Sequence, residues 1–264
     1  MDIRLLALDL DETLLNASRG VSPRNLAAVR AAAEKGVHII IATGRGPLAA
    51  KVVLDVLDLG QPTIHYGGAL VLAQPSGALL RARYVPEKLV KGVLHAADKL
   101  GLHAQIYEGD TVVYRCEHPF VKIYTDVLHL PCRLEPDLWD LPLNKTPKVL
   151  VYSLPEQQEE NRARLAALLP GDVKILSSSP GLLEIGEVGT TKGTALAWLA
   201  GQLGVAREHT AAIGDNTLDA DMIAWAGMGC CVGNASEAVK PLAKRILPAC
   251  HEDGVACFIE EYIL

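Results

Sequence analysis

Two acidic side chains near the start of the chain have a spacing that could do chemistry. In LLALDLDETLL, residues 5 to 15, an apolar run ends at Asp9 and a second carboxylate follows at Asp11. In an extended segment, residues two positions apart point to the same side, so these carboxylates would lie close together. A hard cation such as Mg2+ relieves such repulsion and also binds water and the oxygens of a phosphorylated substrate. A solvated turn or a helix cap is the alternative that this stretch leaves open.

Other polar groups occupy equivalent places, directly after an apolar run or at the start of a helix. Thr43, Gly44 and Arg45 follow the run VHIIIA, Lys192 opens KGTALAWLAGQLG, and GDNTLDAD follows TAAIG. Each alone is typical of a turn, a solvated lysine or a cap. Because ligands of open α/β sheets bind outside the carboxyl ends of the strands, we expect these groups to meet. Carboxylates, a hydroxyl and an ammonium are what metal-assisted phosphoryl transfer needs.

The apolar pattern predicts the strands and helices that would position these groups. A strand at residues 5 to 8 leads to the helix SPRNLAAVRAAAEKG, with Ser22 as N-cap and Pro23 at the first helical position. The run VHIIIA is typical of a parallel strand buried on both faces. After Lys192 the alternation resumes, and helices are predicted over SEAVKPLAK and near GVACFIEEYI. The pattern indicates an α/β fold with a doubly wound, Rossmann-like parallel sheet.

The middle of the chain has a different pattern of predicted strands and helices. It contains the helix PEKLVKGVLHAADKLG, a hairpin turning at Gly-Asp between LHAQIY and TVVYR, a proline-rich passage at residues 131 to 147, and further strands around one helix. This mixture indicates an inserted α+β unit. We therefore predict a core domain of residues 1–82 and 186–264 and an inserted domain of residues 83–185.

Composition excludes several classes of protein. The chain has 264 residues, 50% of them hydrophobic and 5% aromatic, and a formal net charge of -6. The acidic balance argues against a nucleic-acid partner, and we find neither a signal-peptide pattern nor an apolar run of about 18 residues. The six cysteines lack metal-ligand spacing, so they are expected to be reduced. These properties predict a cytoplasmic protein without a membrane partner. We further expect a monomer or a homodimer.

The ordered set DLDET, ATGR, TTKGTAL and GDNTLDADM resembles the haloacid dehalogenase superfamily of phosphatases. More narrowly, it is similar to the Cof-type branch, in which a mixed α+β cap of type IIB is inserted between the second and third motifs. The resemblance implies Mg2+-dependent hydrolysis of small phosphate monoesters, such as sugar phosphates or phosphorylated cofactors and metabolites, through an aspartyl-phosphate intermediate. A cap of this kind would set specificity by closing over the leaving group.

The resemblance also implies roles for individual residues. Asp9 would be the nucleophile, and Asp11 the general acid and then the base. Mg2+ would be held by Asp9, by the backbone carbonyl of Asp11 and by Asp215. The phosphoryl group would be bound by Leu10, Thr43, Gly44 and Lys192. Supporting roles or possible substrate contacts are implied for Thr13, Arg45, Asn216 and Asp219.

Two positions depart from the family pattern. Leu218 stands where an asparagine usually contacts the phosphate, and Gly67-Gly68 stand where Asn-Gly is common. Asn216 could compensate, phosphate binding could be weaker, or efficient hydrolysis could be lost. His65 and Tyr66, at the same strand end, could contact substrate or only pack.

The residues leave other functions and contacts open. A phosphotransferase or phosphomutase with the same intermediate and a non-catalytic phosphometabolite-binding regulatory protein are the alternative functions. Spacing does not distinguish cleft residues from surface residues in the inserted domain, where the candidates are His103, Tyr107, Glu108, Arg115, His118, Lys122 and Tyr124.

Overall fold

A computed structural model describes residues 2–16, 20–170, 173 and 175–264. Its contacts divide the chain into two compact units. The first consists of Met1–Arg45, Ala50–Arg81 and Thr190–Leu264, and the second of Gly46–Ala49 and Ala82–Gly189.

The strands and helices alternate along the first and last parts of the chain. The strands are β1 (Leu5–Leu8), β2 (His38–Ala42), β3 (Thr63–His65), β4 (Leu70–Leu72), β5 (Leu79–Ala82), β6 (His103–Glu108), β7 (Thr111–Tyr114), β8 (Cys132–Leu134), β9 (Val149–Tyr152), β10 (Ile175–Ser179), β11 (Leu182–Ile185), β12 (Thr210–Gly214), β13 (Met228–Cys231) and β14 (Arg245–Ile246). The α-helices are α1 (Pro23–Glu34), α2 (Pro47–Leu57), α3 (Glu87–Lys99), α4 (Gln158–Leu168), α5 (Lys192–Gln202), α6 (Ala220–Trp225) and α7 (Gly254–Tyr262).

An eight-stranded sheet in the order β14-β13-β12-β1-β2-β3-β4-β5 forms the first unit. Neighbouring strands from β14 to β3 are parallel, and β4 returns antiparallel to β3. Side chains alternate across the sheet, so Leu6 and Leu8 pack with α1, α2 and α7 while Leu5 and Ala7 pack with α5 and α6. Helices therefore cover both faces, and the predicted doubly wound α/β class is confirmed.

The second unit is built on a six-stranded sheet in the order β10-β11-β9-β6-β7-β8. Its pairs are antiparallel except for β7 and β8, and α3 and α4 contribute to its apolar core. The proline-rich passage 131 to 147 contains β8 and a single 3-10 turn at Leu138–Asp140.

The helix predicted over SEAVKPLAK is wrong. Only a 3-10 turn forms there, at Lys240–Leu242, and the edge strand β14 follows. Pro241 explains the difference, because proline lacks a backbone donor and disfavours the α conformation at the preceding residue.

Within residues 2–16, 20–170, 173 and 175–264, no helix is long and apolar enough to cross a membrane. All six cysteines lie in these ranges, and none of them forms a disulfide there.

Candidate active site

Three strand ends bring the predicted site residues to one edge of the sheet. Leu8 of β1 is in register with Ile41 of β2 and with Ile213 of β12, so the residues that follow these strands are neighbours. The Asp9 amide donates to the Ile213 carbonyl at 3.0 Å, which continues the β1–β12 pairing into the site. Asp9, Thr43 and Asp215 therefore emerge at the carboxyl edge, where ligands of such sheets bind.

Lys192 is the first residue of α5 and the largest fully buried side chain in the described part of the chain. Its Nζ donates to Asp9 Oδ1 at 2.5 Å and to Asp219 Oδ1 at 2.6 Å. Burial alone would lower the pKa of this ammonium, but the two carboxylates raise it above its ordinary value. Lys192 is therefore a fixed positive charge in the site.

Asp219 uses both of its carboxylate oxygens within the protein. Oδ1 accepts from Lys192, while Oδ2 accepts from the backbone amides of Asp215 and Asn216 at 3.0 and 3.1 Å. A Cβ on Gly214 would lie 2.4 Å from Asp219 Cβ, so only glycine allows this close approach. Asp219 thus joins Lys192 to the turn that carries Asp215.

The Asp215 carboxylate is held from two sides. Its Oδ1 accepts from Thr13 Oγ1 at 3.1 Å and from Asn216 Nδ2 at 3.3 Å. The other end of the Asn216 side chain accepts from the Leu218 amide at 2.9 Å. The Asn216 side chain is therefore engaged within its own turn.

The carboxylate cluster fits a divalent cation. One oxygen each from Asp9, Asp215 and Asp219 lies within 4.8 Å of the others. Asp9 Oδ2 is buried and has no hydrogen-bond partner among the described residues. Three buried carboxylates face one buried ammonium, so the cluster carries excess negative charge when all are ionised. Since Asp219 is fully engaged, Asp9 and Asp215 are the carboxylates suited to hold the cation.

The same crowding explains the shifted acidities. Burial raises the pKa of Asp9 well above its ordinary value, and Asp219 and Asp215 add to this effect while Lys192 opposes it. Burial also raises the pKa of Asp215 to about 7, with a further contribution from Asp219. Both carboxylates would gain from a nearby positive charge.

Asp11 lies outside this buried cluster. Arg45 Nε and Nη2 donate to the two oxygens of its carboxylate at 2.9 and 2.5 Å. The Asp11 side chain is 52% exposed, whereas that of Asp9 is 4% exposed. Arg45 is also anchored through its amide, which donates to Thr43 Oγ1 at 3.1 Å. The two aspartates of DLDET therefore have different surroundings.

The predicted phosphate-binding residues differ in what they offer. The Leu10 side chain is fully buried in an apolar core, so its backbone is the part available to a ligand. Thr43 is fully buried at the end of β2. A Cβ on Gly44 would lie 3.7 Å from Leu218 Cδ1, so the Leu218 side chain packs beside Gly44.

His65 and Tyr66 are packed within the first unit. The His65 ring is fully buried with Nε2 at 2.8 Å from Thr63 Oγ1, and burial lowers its pKa to about 4. Tyr66 is 5% exposed and starts a turn of three residues with positive φ. The Gly67-Gly68 pair had indicated a turn here, whereas the sequence analysis did not single out Thr191, the N-cap of α5, although its position directly before Lys192 was an available signal.

The candidates of the inserted domain have contacts within the second unit. Four belong to one polar and aromatic network, in which the Tyr107 hydroxyl donates to that of Tyr124 at 3.3 Å and His103 stacks on His118. Arg115 pairs with Asp98, and Glu108 accepts from Arg133 at 2.9 Å. Lys122 is exposed.

Comparisons with known proteins identify relatives along nearly the whole chain. A model of the haloacid dehalogenase-like hydrolase family matches residues 6–259. The 5-amino-6-(5-phospho-D-ribitylamino)uracil phosphatase YcsE of Bacillus subtilis is 30% identical over 266 residues, which cover 100% of this chain and 97% of the relative. The pyridoxal phosphate phosphatase YbhA of Escherichia coli is 29% identical over 285 residues, covering 100% of both chains.

A solved structure shows the same fold. The crystal structure of a haloacid dehalogenase-like hydrolase from Bacteroides thetaiotaomicron superposes with a TM-score of 0.87 and 29% identity. The alignment covers 98% of this chain and 99% of that one. The resemblance predicted from the four motifs is confirmed.

Proposed function

The chain belongs to the haloacid dehalogenase-like hydrolase family and is a phosphatase, and from that premise we propose that it hydrolyses small phosphate monoesters with Mg2+ through a phosphoryl group carried on Asp9. The observation that carries the proposal is the buried cluster at the sheet edge. There Asp9 lies beside Lys192 and keeps one carboxylate oxygen without a partner among the described residues.

In the first step, an Asp9 carboxylate oxygen forms a bond to phosphorus while the bond from phosphorus to the ester oxygen breaks. Asp11 gives its proton to the departing oxygen, so the alcohol leaves neutral. In the second step, Asp11 takes a proton from water as the water oxygen bonds to phosphorus. The bond between phosphorus and Asp9 then breaks, which releases inorganic phosphate and restores the free Asp9 carboxylate.

Charge is the main obstacle to this chemistry, because a carboxylate must approach an anionic phosphoryl group. The buried Lys192 ammonium, the Thr43 hydroxyl and the Gly44 amide are the proposed partners of the phosphoryl oxygens. Bound Mg2+, held by Asp9, Asp215 and the backbone carbonyl of Asp11, would supply further positive charge at the phosphoryl group. Thr13 supports this arrangement through its hydrogen bond to Asp215.

The proposed substrates are small organic phosphate monoesters. The names of the two relatives specify a phosphorylated ribitylamino-uracil and pyridoxal phosphate, both of which belong to this class. Their different organic groups favour testing a broad panel of sugar phosphates and phosphorylated cofactors.

The test is phosphate release from such a panel with Mg2+, with and without EDTA. Asp9→Asn keeps the size of the side chain but removes the nucleophile, and it should abolish turnover. Asp55→Asn, at an exposed position paired with Lys51, is the matched control and should turn over like the unmodified protein. If folded protein that binds Mg2+ released no phosphate from any ester, hydrolysis would be refuted in favour of phosphoryl transfer or a regulatory role.

A further inference from the structure

The segment after β3 forms an unusual turn beside the proposed phosphate site. Tyr66, Gly67 and Gly68 all have positive φ, at 50°, 64° and 109°. This conformation is unfavourable for Tyr66, because positive φ costs a residue with a side chain about 1 kcal/mol. Such a conformation persists only where the surroundings enforce it.

One side of this turn is hydrogen-bonded to the loop that carries Thr43. The Gly67 amide donates to the Thr43 carbonyl at 3.0 Å, and the Tyr66 amide donates to the Arg45 carbonyl at 3.1 Å. In return, the Thr43 amide donates to the Ile64 carbonyl at 2.9 Å. The position of Thr43 is therefore fixed by the backbone of residues 64 to 67.

The other side of the turn lies against the start of α5. A Cβ built on Gly68 would lie 2.2 Å from the Thr191 carbonyl oxygen and 3.1 Å from the Lys192 amide nitrogen. Thr191 is the N-cap of α5, and its carbonyl accepts from the Ala195 amide at 3.0 Å. No side chain fits at position 68 unless the helix end that carries Lys192 moves away.

We propose that the turn Tyr66–Gly68 is a positioning element that sets the separation between Thr43 and Lys192, and that Gly68 is its positioning residue. Thr43 directly follows β2, and Lys192 begins α5 more than a hundred residues later in the chain. The turn contacts the backbone of both residues, so it holds them at a fixed separation. We call Thr43 and Lys192 together the phosphate clamp. This inference rests on the proposed function, because the clamp is the proposed phosphate site.

A glycine at the opposite end of β2 from Thr43 provides a matched control. Gly36 is exposed and has a φ of 87°, and a Cβ there would meet nothing within 4 Å. Gly36→Ala and Gly68→Ala both place a side chain at a positive φ beyond the usual left-handed region, but only Gly68→Ala pushes against Thr191.

The test compares both variants with the unmodified protein, using inorganic phosphate as a competitive probe. Gly68→Ala should raise the inhibition constant for inorganic phosphate and the KM for the ester at least tenfold, while Gly36→Ala should change them by less than about threefold. The proposal would be overturned if both variants raised the two constants equally. It would also be overturned if folded Gly68→Ala kept the inhibition constant of the unmodified protein for inorganic phosphate.

If Gly68→Ala does not fold, hydrogen exchange in the unmodified protein tests the same inference. In the unmodified protein with Mg2+, saturating inorganic phosphate should slow exchange in peptides covering residues 64 to 69 together with those covering 43 to 46 and 190 to 195. Slower exchange at residues 43 to 46 and 190 to 195, without slower exchange at residues 64 to 69, would overturn the inference. The proposed function fails separately, if the unmodified protein binds phosphate but hydrolyses no ester.

Discussion

Asp9 and Asp11 are two positions apart, yet their side chains have opposite surroundings. Asp9 is buried and ion-paired with Lys192, whereas Asp11 is half-exposed and held by Arg45. A nucleophile gains from fixed orientation in a buried site, while an acid that also serves as a base must reach both the leaving group and water. The difference in surroundings supports different roles for the two carboxylates.

The role of Asp11 predicts a dependence on the leaving group. Asp11→Asn should lower kcat for an alkyl phosphate by about 10²- to 10⁴-fold, because the alkoxide then leaves without a proton. The loss should be much smaller for p-nitrophenyl phosphate, whose leaving group is stable as an anion. Steady-state assays with both esters test this, and a similar loss for both would argue against Asp11 as the general acid.

His65 predicts an acid-sensitive contribution to stability. Its pKa in the folded state is about 4, below the ordinary value of 6.5, so the unfolded state takes up the proton more readily between these values. Folding stability should therefore be lost as pH falls through this range, by about 2 kcal/mol between pH 7.5 and 5 from this residue.

Urea unfolding of His65→Gln at the two pH values measures this contribution. The unmodified protein should lose about 2 kcal/mol more than the variant on acidification. His251→Gln, at an exposed position, should behave like the unmodified protein. Parallel losses in the unmodified protein and His65→Gln would show that His65 does not contribute.

At the scale of single elements, the N-terminus of α5 is important because it carries Lys192. The Thr191 hydroxyl accepts from the Thr194 amide at 3.1 Å, and the Thr194 hydroxyl accepts from the Thr191 amide at 3.0 Å. These reciprocal bonds form a capping box that fixes the first turn of the helix.

Thr191→Ala should therefore affect both stability and substrate binding. We expect a loss of about 1 kcal/mol in the free energy of unfolding and a higher KM, because the cap orients the backbone of Lys192. Ser22→Ala removes the corresponding cap of α1, where the hydroxyl accepts from the Asn25 amide at 3.1 Å, and should leave KM unchanged. Unfolding curves and steady-state kinetics distinguish the two, and an unchanged KM in Thr191→Ala would refute the link to Lys192.

The elements that the sequence predicted well are those with strong local signals. Ser22 caps α1 as expected, and the β-branched run became the buried strand β2. The helix predicted over SEAVKPLAK did not form, because Pro241 outweighed its apolar spacing. The short strand β8 could not be anticipated, since a three-residue strand depends on its partner β7 rather than on its own pattern.

The contacts between the site residues were harder to predict from the sequence than the types of residue in the site. The strand-end positions of Asp9, Thr43 and Asp215 followed from the βα pattern. The pairing of Arg45 with Asp11 and the approach of Gly68 to Thr191 join segments that are distant in the sequence, and no local periodicity reports such contacts.

At the scale of the whole molecule, the excess negative charge at the carboxyl edge predicts stabilisation by Mg2+. A cation that binds only the folded state stabilises it by about 2.7 kcal/mol at a concentration 100 times its Kd. The melting temperature should therefore rise with Mg2+, and Asp215→Asn should remove most of this rise by deleting a proposed ligand. Differential scanning calorimetry checks both, with Asp55→Asn expected to respond normally; an undiminished response in Asp215→Asn would exclude Asp215 as a ligand.

The most direct measurement is the mass of the protein after rapid mixing with a good ester substrate and Mg2+, followed by acid quenching. We predict a transient species heavier by one phosphoryl group, which peptide mapping assigns to Asp9 and which is absent from Asp9→Asn. Release of phosphate without any such species, or a phosphoryl group on another residue, would contradict Asp9 as the nucleophile.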